Sequence, residues 1–177
     1  FCTTDLSAFY FDIRKDTLYC DPINSEKRKS CVTILNVLLK SLLRWFAPIL
    51  SFTTEEIHQL ISKNSKSIHL EKFLTFPDKF KNEQLTERWS QLIKIRDLCN
   101  ISIEEKRANK EIGSSLEAEL KIRLNEKYKD IISKIDLSEL CIVSKTQINF
   151  DGGSDILVET KKALGDKCPV CWKISLE

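Results

Sequence analysis

The chain has 177 residues, of which 42% are hydrophobic and 31% charged, and its 28 Lys and Arg nearly balance its 26 Asp and Glu. This composition excludes an intrinsically disordered chain, which would contain fewer apolar residues and a larger charge imbalance. The net charge of +2 excludes a uniformly basic molecule, so binding to a nucleic acid would depend on a local cluster of cations. No apolar run reaches the ~18 residues of a membrane helix, and we expect no membrane partner.

The composition also indicates a mostly helical part of a cytoplasmic protein. Only four Gly and four Pro are present, which favours long helices over a β-sandwich with many turns. There is no Met, so we expect the chain to be a segment of a longer polypeptide. The first ten residues lack the basic region of a secretory signal, and the seven Cys are therefore expected to be reduced thiols.

Helical periodicity is strongest between about residues 24 and 50. Apolar side chains recur there every three or four residues, and further apolar residues between them predict a helix that is buried on much of its circumference. Asn24 or Ser25 would cap its start, and Pro48 marks its end. The recurring positions are Cys31, Leu35, Leu38, Leu42 and Trp45.

A second helix is predicted from Thr53, because Thr53 and Glu56 have the spacing of a capping box. The polar segment 62–66 ends it. A third helix is predicted from Glu83 to about Glu111, just before the Gly-Ser-Ser segment that would stop it.

Three helices of this length are enough to bury a core, whereas an isolated helix is not. We therefore predict that residues 1–114 form an antiparallel helical bundle.

Residues 115–165 have the pattern of a small α/β domain. Apolar and charged residues alternate over residues 119–124, which predicts a strand with one face in solvent. A helical pattern follows between residues 128 and 135. Residues 141–150 and 156–160 are predicted to form a hairpin joined by a turn of sequence Asp-Gly-Gly. The predicted unit is β-α-β-β.

The most informative short motif is Cys168-Pro-Val-Cys171. Two thiolates separated by two residues can bind one Zn²⁺ from a single turn, and two further ligands would complete the tetrahedral site. A redox dithiol is the alternative, although such a site usually follows the first strand of a βαβ unit and only six residues follow Cys171. Incidental free thiols are a third interpretation. Residues 166–177 are therefore predicted to be half of a zinc knuckle.

Four segments of the chain, beginning with residues 9–21 (FYFDIRKDTLYCD) and 45–57 (WFAPILSFTTEEI), resemble one known family. The first is similar to the start of the anticodon-binding region of bacterial isoleucyl-tRNA synthetases, which are class I enzymes. The second resembles a stretch that the Ile, Val, Leu and Met enzymes of class I share. Residues 112–118 and the terminal Cys-x-x-Cys-Trp are similar to landmarks of the isoleucine family in the same order.

The resemblance implies a C-terminal fragment of an isoleucyl-tRNA synthetase, which contains the anticodon-binding domain and the start of the zinc module. The full-length enzyme would charge tRNA(Ile) with isoleucine by using ATP and Mg²⁺, as a cytoplasmic monomer. Its catalytic and editing domains would lie upstream in the same polypeptide, and the second pair of zinc ligands would lie downstream. The fragment alone would be inactive, and no catalytic residue is predicted in it.

The resemblance also implies that this part binds the anticodon stem-loop. Arg96, Arg107 and Lys110, on the polar side of the third helix, are candidates for contacts with RNA phosphates, which fix the register of a complex. Trp172 is the candidate for stacking on an unpaired base, with Lys173 beside it. The alternatives are a solvated helix face for the three cations and, for Trp172, packing on its own domain.

Other interpretations fit parts of the sequence. A fragment of a valyl or leucyl enzyme would share residues 45–57, but the terminal Cys-x-x-Cys-Trp argues against it. A free-standing RNA-binding module and a helical interaction domain without RNA stay open, and the nearly neutral charge favours the second. Residues 63–67 resemble the lysine-rich ATP loop of class I enzymes, but no His-containing nucleotide motif accompanies them, so we interpret them as a solvated loop.

Overall fold

The computed structural model describes residues 1–62, 66–153 and 156–176. Within them the chain is mostly helical with a small mixed sheet, which confirms the predicted fold class in outline. The loop predicted at Lys63, Asn64 and Ser65 lies outside the described residues. The chain divides into two compact units. We call them the α/β unit, Phe1–Asp16 with Asn82–Glu177, and the helical unit, Thr17–Lys81.

The elements follow one another as helices first and strands later. The α-helices are α1 (Asp12–Tyr19), α2 (Glu26–Phe46), α3 (Ser51–Ile61), α4 (Glu83–Ala108), α5 (Lys129–Ile132) and α6 (Leu137–Cys141). The strands are β1 (Ala118–Asn125), β2 (Lys145–Asp151), β3 (Leu157–Lys162), β4 (Asp166–Lys167) and β5 (Ile174–Ser175). A π-helical segment, Cys2–Phe11, precedes α1. This helical start is absent from the predicted elements, because apolar residues lie on all its sides and give no periodic signal.

Helix α2 lies within its predicted range, and Ser25 caps it by accepting the backbone N–H of Arg28 at 3.3 Å. Cys31 and Leu43 are buried. The prediction that α2 is buried on much of its circumference is nevertheless wrong, because the helical unit supplies few elements to cover it. The apolar residues of α2 that stay exposed include Val32, Ile34, Val37 and Leu39.

Helix α3 begins two residues before the predicted capping box. Its N-cap is Leu50, whose carbonyl oxygen accepts a hydrogen bond from Thr54 Oγ1 at 2.9 Å. The capping-box prediction is therefore wrong. The turn after α2, in which the Leu50 N–H donates to the Phe46 carbonyl at 2.7 Å, sets the start of α3 instead.

Helix α4 forms the core of the α/β unit together with the sheet and α6. Its inner residues pack against the inner face of β1, and all of them are at most 2% exposed. Ser102 Oγ lies 2.7 Å from Thr160 Oγ1 of β3, and Arg88 Nε donates to the Ile131 carbonyl at 2.7 Å. The inner residues of α4 are Leu92, Ile95, Cys99 and Ile103.

These contacts place α4 in one compact unit with the sheet. The predicted division into residues 1–114, 115–165 and 166–177 therefore does not coincide with the compact units.

The sheet has the order β2-β1-β3, with β1 parallel to β2 and antiparallel to β3. The predicted element order β-α-β-β is confirmed, but the predicted hairpin between the last two strands is wrong, because both pair with β1. The reason is hydrophobic: β1 alone has an inner face of fully buried side chains and so takes the central position. Residues 141–144 also differ from the prediction, since α6 ends there and Ile142 is left-handed (φ 55°).

The terminal segment forms a second small sheet of β4 and β5. The Cys168 N–H donates to the Lys173 carbonyl at 2.8 Å, and the Trp172 N–H donates to the Cys168 carbonyl at 3.0 Å. The Ile174 N–H donates to Ser144 Oγ at 2.6 Å, which attaches this hairpin to the start of β2. Among the described residues, no helix is both long and apolar enough to cross a bilayer.

Candidate nucleic-acid interface

Trp172 lies at the end of the Cys-Pro-Val-Cys turn in a left-handed conformation (φ 64°). Its hydrogen bond to Cys168 closes the turn, and its side chain is left 59% exposed. Lys167 Nζ lies 5.1 Å from the centroid of the indole ring, a cation–π distance. The local fold therefore holds the ring at the surface beside a cation.

Trp172 and Lys173 line a cavity of about 270 Å³ within the α/β unit. The cavity combines an aromatic ring, hydroxyl groups and carboxylates with an apolar part made by Ile13, Leu116 and Ile142. Such a combination suits a flat ligand with a polar edge. The remaining lining residues are Asp12, Lys15, Asp16, Ser114, Ser115, Ser138 and Glu139.

Ion pairs hold three of the five charged side chains that line this cavity, those of Asp16, Glu139 and Lys173. Lys173 Nζ lies 3.5 Å from Asp16 Oδ2, and Arg14 Nη1 lies 3.0 Å from Glu139 Oε1. Asp136 caps α6 nearby, where burial alone would raise its pKa. Hydrogen bonds from Ser138 and the backbone, helped by the positive charge of Lys173, instead hold that pKa below its usual value.

Arg107 and Lys110 line a second, wider cavity of about 580 Å³, to which β3 contributes Lys162. Arg107 Nη1 is paired with Glu104 Oε1 at 2.7 Å. Lys110 is left-handed (φ 60°) just after α4 ends, and within the described ranges neither Lys110 nor Lys162 forms an ion pair shorter than 4 Å. The two lysines are therefore the cations most available for an anion here.

Arg96 does not line either cavity. Its Nε donates to the Leu140 carbonyl at 3.0 Å, and its guanidinium lies 5.2 Å from the ring centroid of Phe9. Phe9 in turn contacts Trp89 edge to face, with 6.4 Å between the centroids. The structure therefore places Arg96 between α4, α6 and the N-terminal helix, apart from the other predicted cations.

The two cysteines of the terminal turn have half-buried side chains. Several hydrogen-bond donors lower the pKa of Cys168. The backbone N–H of Cys171 has the largest effect, followed by the Val170 N–H, the Cys171 thiol and the Trp172 N–H. N–H groups directed at a sulfur favour its thiolate, which is the form that binds a metal.

Residues 1–122 match the family described as the anticodon-binding domain of tRNA ligase, which is more than half of the chain. The chain belongs to this family of anticodon-binding domains.

The relatives of this anticodon-binding domain include the isoleucine–tRNA ligases of Pelagibacter ubique (59% identical over 175 residues), Methylacidiphilum infernorum (43% over 176) and Bradyrhizobium diazoefficiens (39% over 189). Each match covers 99% of this chain and 19% of the relative, so the chain spans about a fifth of the length of the curated relatives it matches. The resemblance to isoleucyl-tRNA synthetases that the motifs indicated is confirmed.

Zinc fits in part the terminal turn, which lies outside the residues 1–122 that match the anticodon-binding family. Cys168 and Cys171 supply two thiols from one turn, with N–H groups already directed at the first sulfur. Elsewhere in the part of the chain that the structure describes, no group of three or more potential ligands assembles. Within the described residues, the terminal turn therefore offers two of the four positions of a tetrahedral site.

Sequence reasoning missed the side chains that complete the Trp172 cavity. Ser114 and Ser115 precede β1, and Ser138 follows the N-cap of α6. They are far apart in the chain and have no characteristic spacing. Their proximity follows from the tertiary fold. Helix α6 leads into β2, and because β2 pairs in parallel with β1, the chain after α6 lies beside the residues that precede β1.

Proposed function

We propose that this anticodon-binding domain holds the anticodon stem-loop of tRNA(Ile) and that Trp172 stacks on one unpaired base of the loop. The observation that carries the proposal is the position of Trp172 and Lys173 on the wall of a cavity with apolar, hydroxyl and carboxylate groups. Sequence-specific RNA recognition commonly uses aromatic stacking together with hydrogen bonds to the edges of splayed bases.

The cavity can discriminate among bases through its polar groups. Hydroxyls of Ser114, Ser115 and Ser138 can donate or accept, whereas the carboxylates of Asp16 and Glu139 only accept. Because both carboxylates are already held by cations, they do not repel the loop strongly. A base that presents N–H donors therefore suits this cavity best.

The cations at the end of α4 would hold the backbone of the same RNA. Lys110, Arg107 and Lys162 share one open cavity, and phosphates bound there would fix the register without reading the sequence. Arg96 would contribute mainly by positioning Phe9 and α6, with only its remaining guanidinium N–H groups directed to a phosphate.

The wider assignment follows the isoleucine–tRNA ligases to which the chain is similar. We propose that the chain is part of such a ligase, a cytoplasmic monomer that joins isoleucine to tRNA(Ile) with ATP and Mg²⁺. The catalytic and editing domains would lie outside these 177 residues. Cys168 and Cys171 would hold half of a structural Zn²⁺ site, which would stabilise the turn that carries Trp172.

Titration of the 177-residue chain with fluorescent tRNA(Ile) and tRNA(Val) tests the proposal. We expect selective binding of tRNA(Ile), a 5- to 150-fold loss of affinity in Trp172→Ala from about 1–3 kcal/mol of stacking, and partial recovery in Trp172→Phe. Phe52→Ala is the matched control, because Phe52 is an exposed aromatic residue of the helical unit (92% exposed).

Equal affinity for the two tRNAs, or an unchanged affinity in Trp172→Ala, would contradict the proposal. No binding to either tRNA would favour the helical interaction domain. Selectivity for tRNA(Val) would favour the valyl enzyme.

A further inference from the structure

The solvent face of the three-stranded sheet is a charged surface that the proposed site does not use. Side chains alternate along each strand, and the register of β1 with β2 and β3 places eleven of them on this side, of which Asn125 and Asp151 form the pair at the strand ends. We call the other nine the sheet face. They are Glu119, Lys121, Arg123, Lys145, Gln147, Asn149, Leu157, Glu159 and Lys161.

Glu119 and Glu159, the anions of the sheet face, each lie within 4 Å of a lysine, whereas Asp151 at the end of β2 accepts, from the described residues, only the Gly153 N–H, at 3.1 Å. Glu119 accepts the amide of Gln147 at 2.6 Å and lies 3.9 Å from Lys145 Nζ. Glu159 Oε1 lies 3.1 Å from Lys161 Nζ. The hydrogen bond from Lys161 lowers the pKa of Glu159, and the charges of Lys161, Lys121 and Arg123 lower it further. Glu159 is therefore surrounded by cations.

Lys121 and Arg123 are the surplus cations of this surface. Neither forms an ion pair within 4 Å among residues 1–62, 66–153 and 156–176. Both lie on the central strand, whose inner side chains Leu120, Ile122 and Leu124 are fully buried, so their backbone is fixed. Residues two apart on a strand are about 7 Å apart, which places the two cations side by side on one face.

Amide groups flank both cations in register. Gln147 lies opposite Lys121, and Asn149 lies opposite Arg123 on β2. A cation with a neighbouring amide donor suits a phosphate oxygen together with a ribose hydroxyl.

We propose that the sheet face binds the sugar–phosphate backbone of base-paired RNA, in the stem and not in the loop. None of the nine residues is aromatic, so unpaired bases have no stacking surface there. Leu157 is the one large apolar residue among the nine, which is too little for the apolar core of a protein interface. The inference rests on the proposed function only for the identity of the RNA, which is the same tRNA. The sheet face itself contains no residue of either cavity.

The test compares Lys121→Gln/Arg123→Gln with Lys94→Gln/Lys129→Gln in the 177-residue chain. Lys94 and Lys129 are exposed on helices α4 and α5, so the control loses the same charge. We measure binding to tRNA(Ile), to tRNA(Val) and to an RNA duplex without a loop at several salt concentrations, after circular dichroism shows that each variant is folded.

For the sheet-face variant we expect roughly tenfold weaker binding to all three RNAs. The slope of log K against log salt should fall by about 1.8, since two phosphate contacts with a duplex are lost. The ratio of affinities for the two tRNAs should not change, and the control should stay within about twofold of the wild type. Glu159→Gln should bind all three RNAs more tightly, because it removes an anion and frees Lys161.

Equal binding by the sheet-face variant and its control would overturn the inference, as would weaker binding by Glu159→Gln. Competition by polyglutamate as strong as by duplex RNA would assign the surface to acidic proteins instead. The two proposals fail separately. Loss of selectivity in Trp172→Ala tests the cavity proposal alone. If the chain does not select tRNA(Ile) but binds duplex RNA in a salt-dependent way, only the sheet-face proposal is supported.

Discussion

The α/β unit and the helical unit bury their apolar residues to very different extents. In the α/β unit, α4, α6 and the inner face of β1 enclose one continuous core. The buried core cluster of the helical unit consists of Leu43, Ala47 and Ile68, with Ile57 packed against it. On the same unit Phe52, Ile49 and Leu60 are at least 74% exposed. A sheet with helices on one face therefore covers its apolar side, whereas two helices and short turns do not cover theirs.

The comparison predicts the largest effect for a core truncation. Ile122 is fully buried in the centre of β1, and Ile122→Ala should lower the free energy of unfolding by about 2–5 kcal/mol, because it removes buried methyl groups and leaves a cavity. Ile68 of the helical unit is 1% exposed, but its small cluster can collapse, so Ile68→Ala should cost about 2 kcal/mol, the low end of that range. Urea denaturation followed by circular dichroism measures both. Equal losses would remove the distinction between the two cores.

How far the sequence predicts this structure depends on how local each feature is. The 3.6-residue period found α2 and α4, and the alternation at residues 119–124 found β1, because these signals lie within one element. The pairing of β2 with β1 depends on which strand is most apolar relative to its neighbours, so the hairpin prediction failed. The capping box failed because a backbone turn from α2 determines where α3 begins.

The candidate site shows the same division. The motif Cys-x-x-Cys-Trp and the cations of α4 are visible in the sequence, whereas Ser114 and Ser138 join Trp172 only through the tertiary fold. Arg96 and Arg107 look alike in the sequence, yet one contacts Phe9 and the other faces a cavity. Helix periodicity places both residues on the polar side of α4, but it does not predict which other element or cavity each side chain contacts.

Thiol reactivity extends the comparison within the α/β unit. A hydrogen bond with Cys141 and burial in the core raise the pKa of Cys99, whereas N–H groups lower the pKa of Cys168. At pH 7 we expect iodoacetamide to modify Cys168 at least about 100-fold faster than Cys99, because a core thiol reacts only after the unit opens. Mass spectrometry of peptides at successive times measures the two rates.

The pH dependence follows from the same shifts. The rate of iodoacetamide modification at Cys168 should approach its plateau below pH ~8.5, the usual pKa of a free thiol. The reason is that its lowered pKa lets the thiolate form at lower pH. Urea should bring the Cys99 rate close to that of Cys168. Rapid modification of Cys99 in the native chain would show that the core of the α/β unit opens as readily as its terminal turn.

Matched helix caps test whether the units unfold together. Asn82 Oδ1 accepts the Leu85 N–H at 2.9 Å at the start of α4, and Ser25 Oγ caps α2 in the same way. Replacement of either by Ala should cost about 1 kcal/mol. We expect calorimetry to show two transitions, with Ser25→Ala lowering only the first and Asn82→Ala only the second. A single transition that both variants lower equally would contradict the division into units of different stability.

The smallest effect on stability is expected for the most exposed aromatic residue of the helical unit. Phe52 is 92% exposed, so Phe52→Ser should change the free energy of unfolding by less than about 0.5 kcal/mol. It should nevertheless reduce the fluorescence of a bound apolar dye and any concentration-dependent association, because the exposed apolar surface becomes smaller. Leu157→Ser, at a half-exposed position in the α/β unit, is the control and should reduce dye binding less, because it removes less exposed apolar surface. A large loss of stability in Phe52→Ser would mean that this ring is covered in solution, and the contrast between the two units would then disappear.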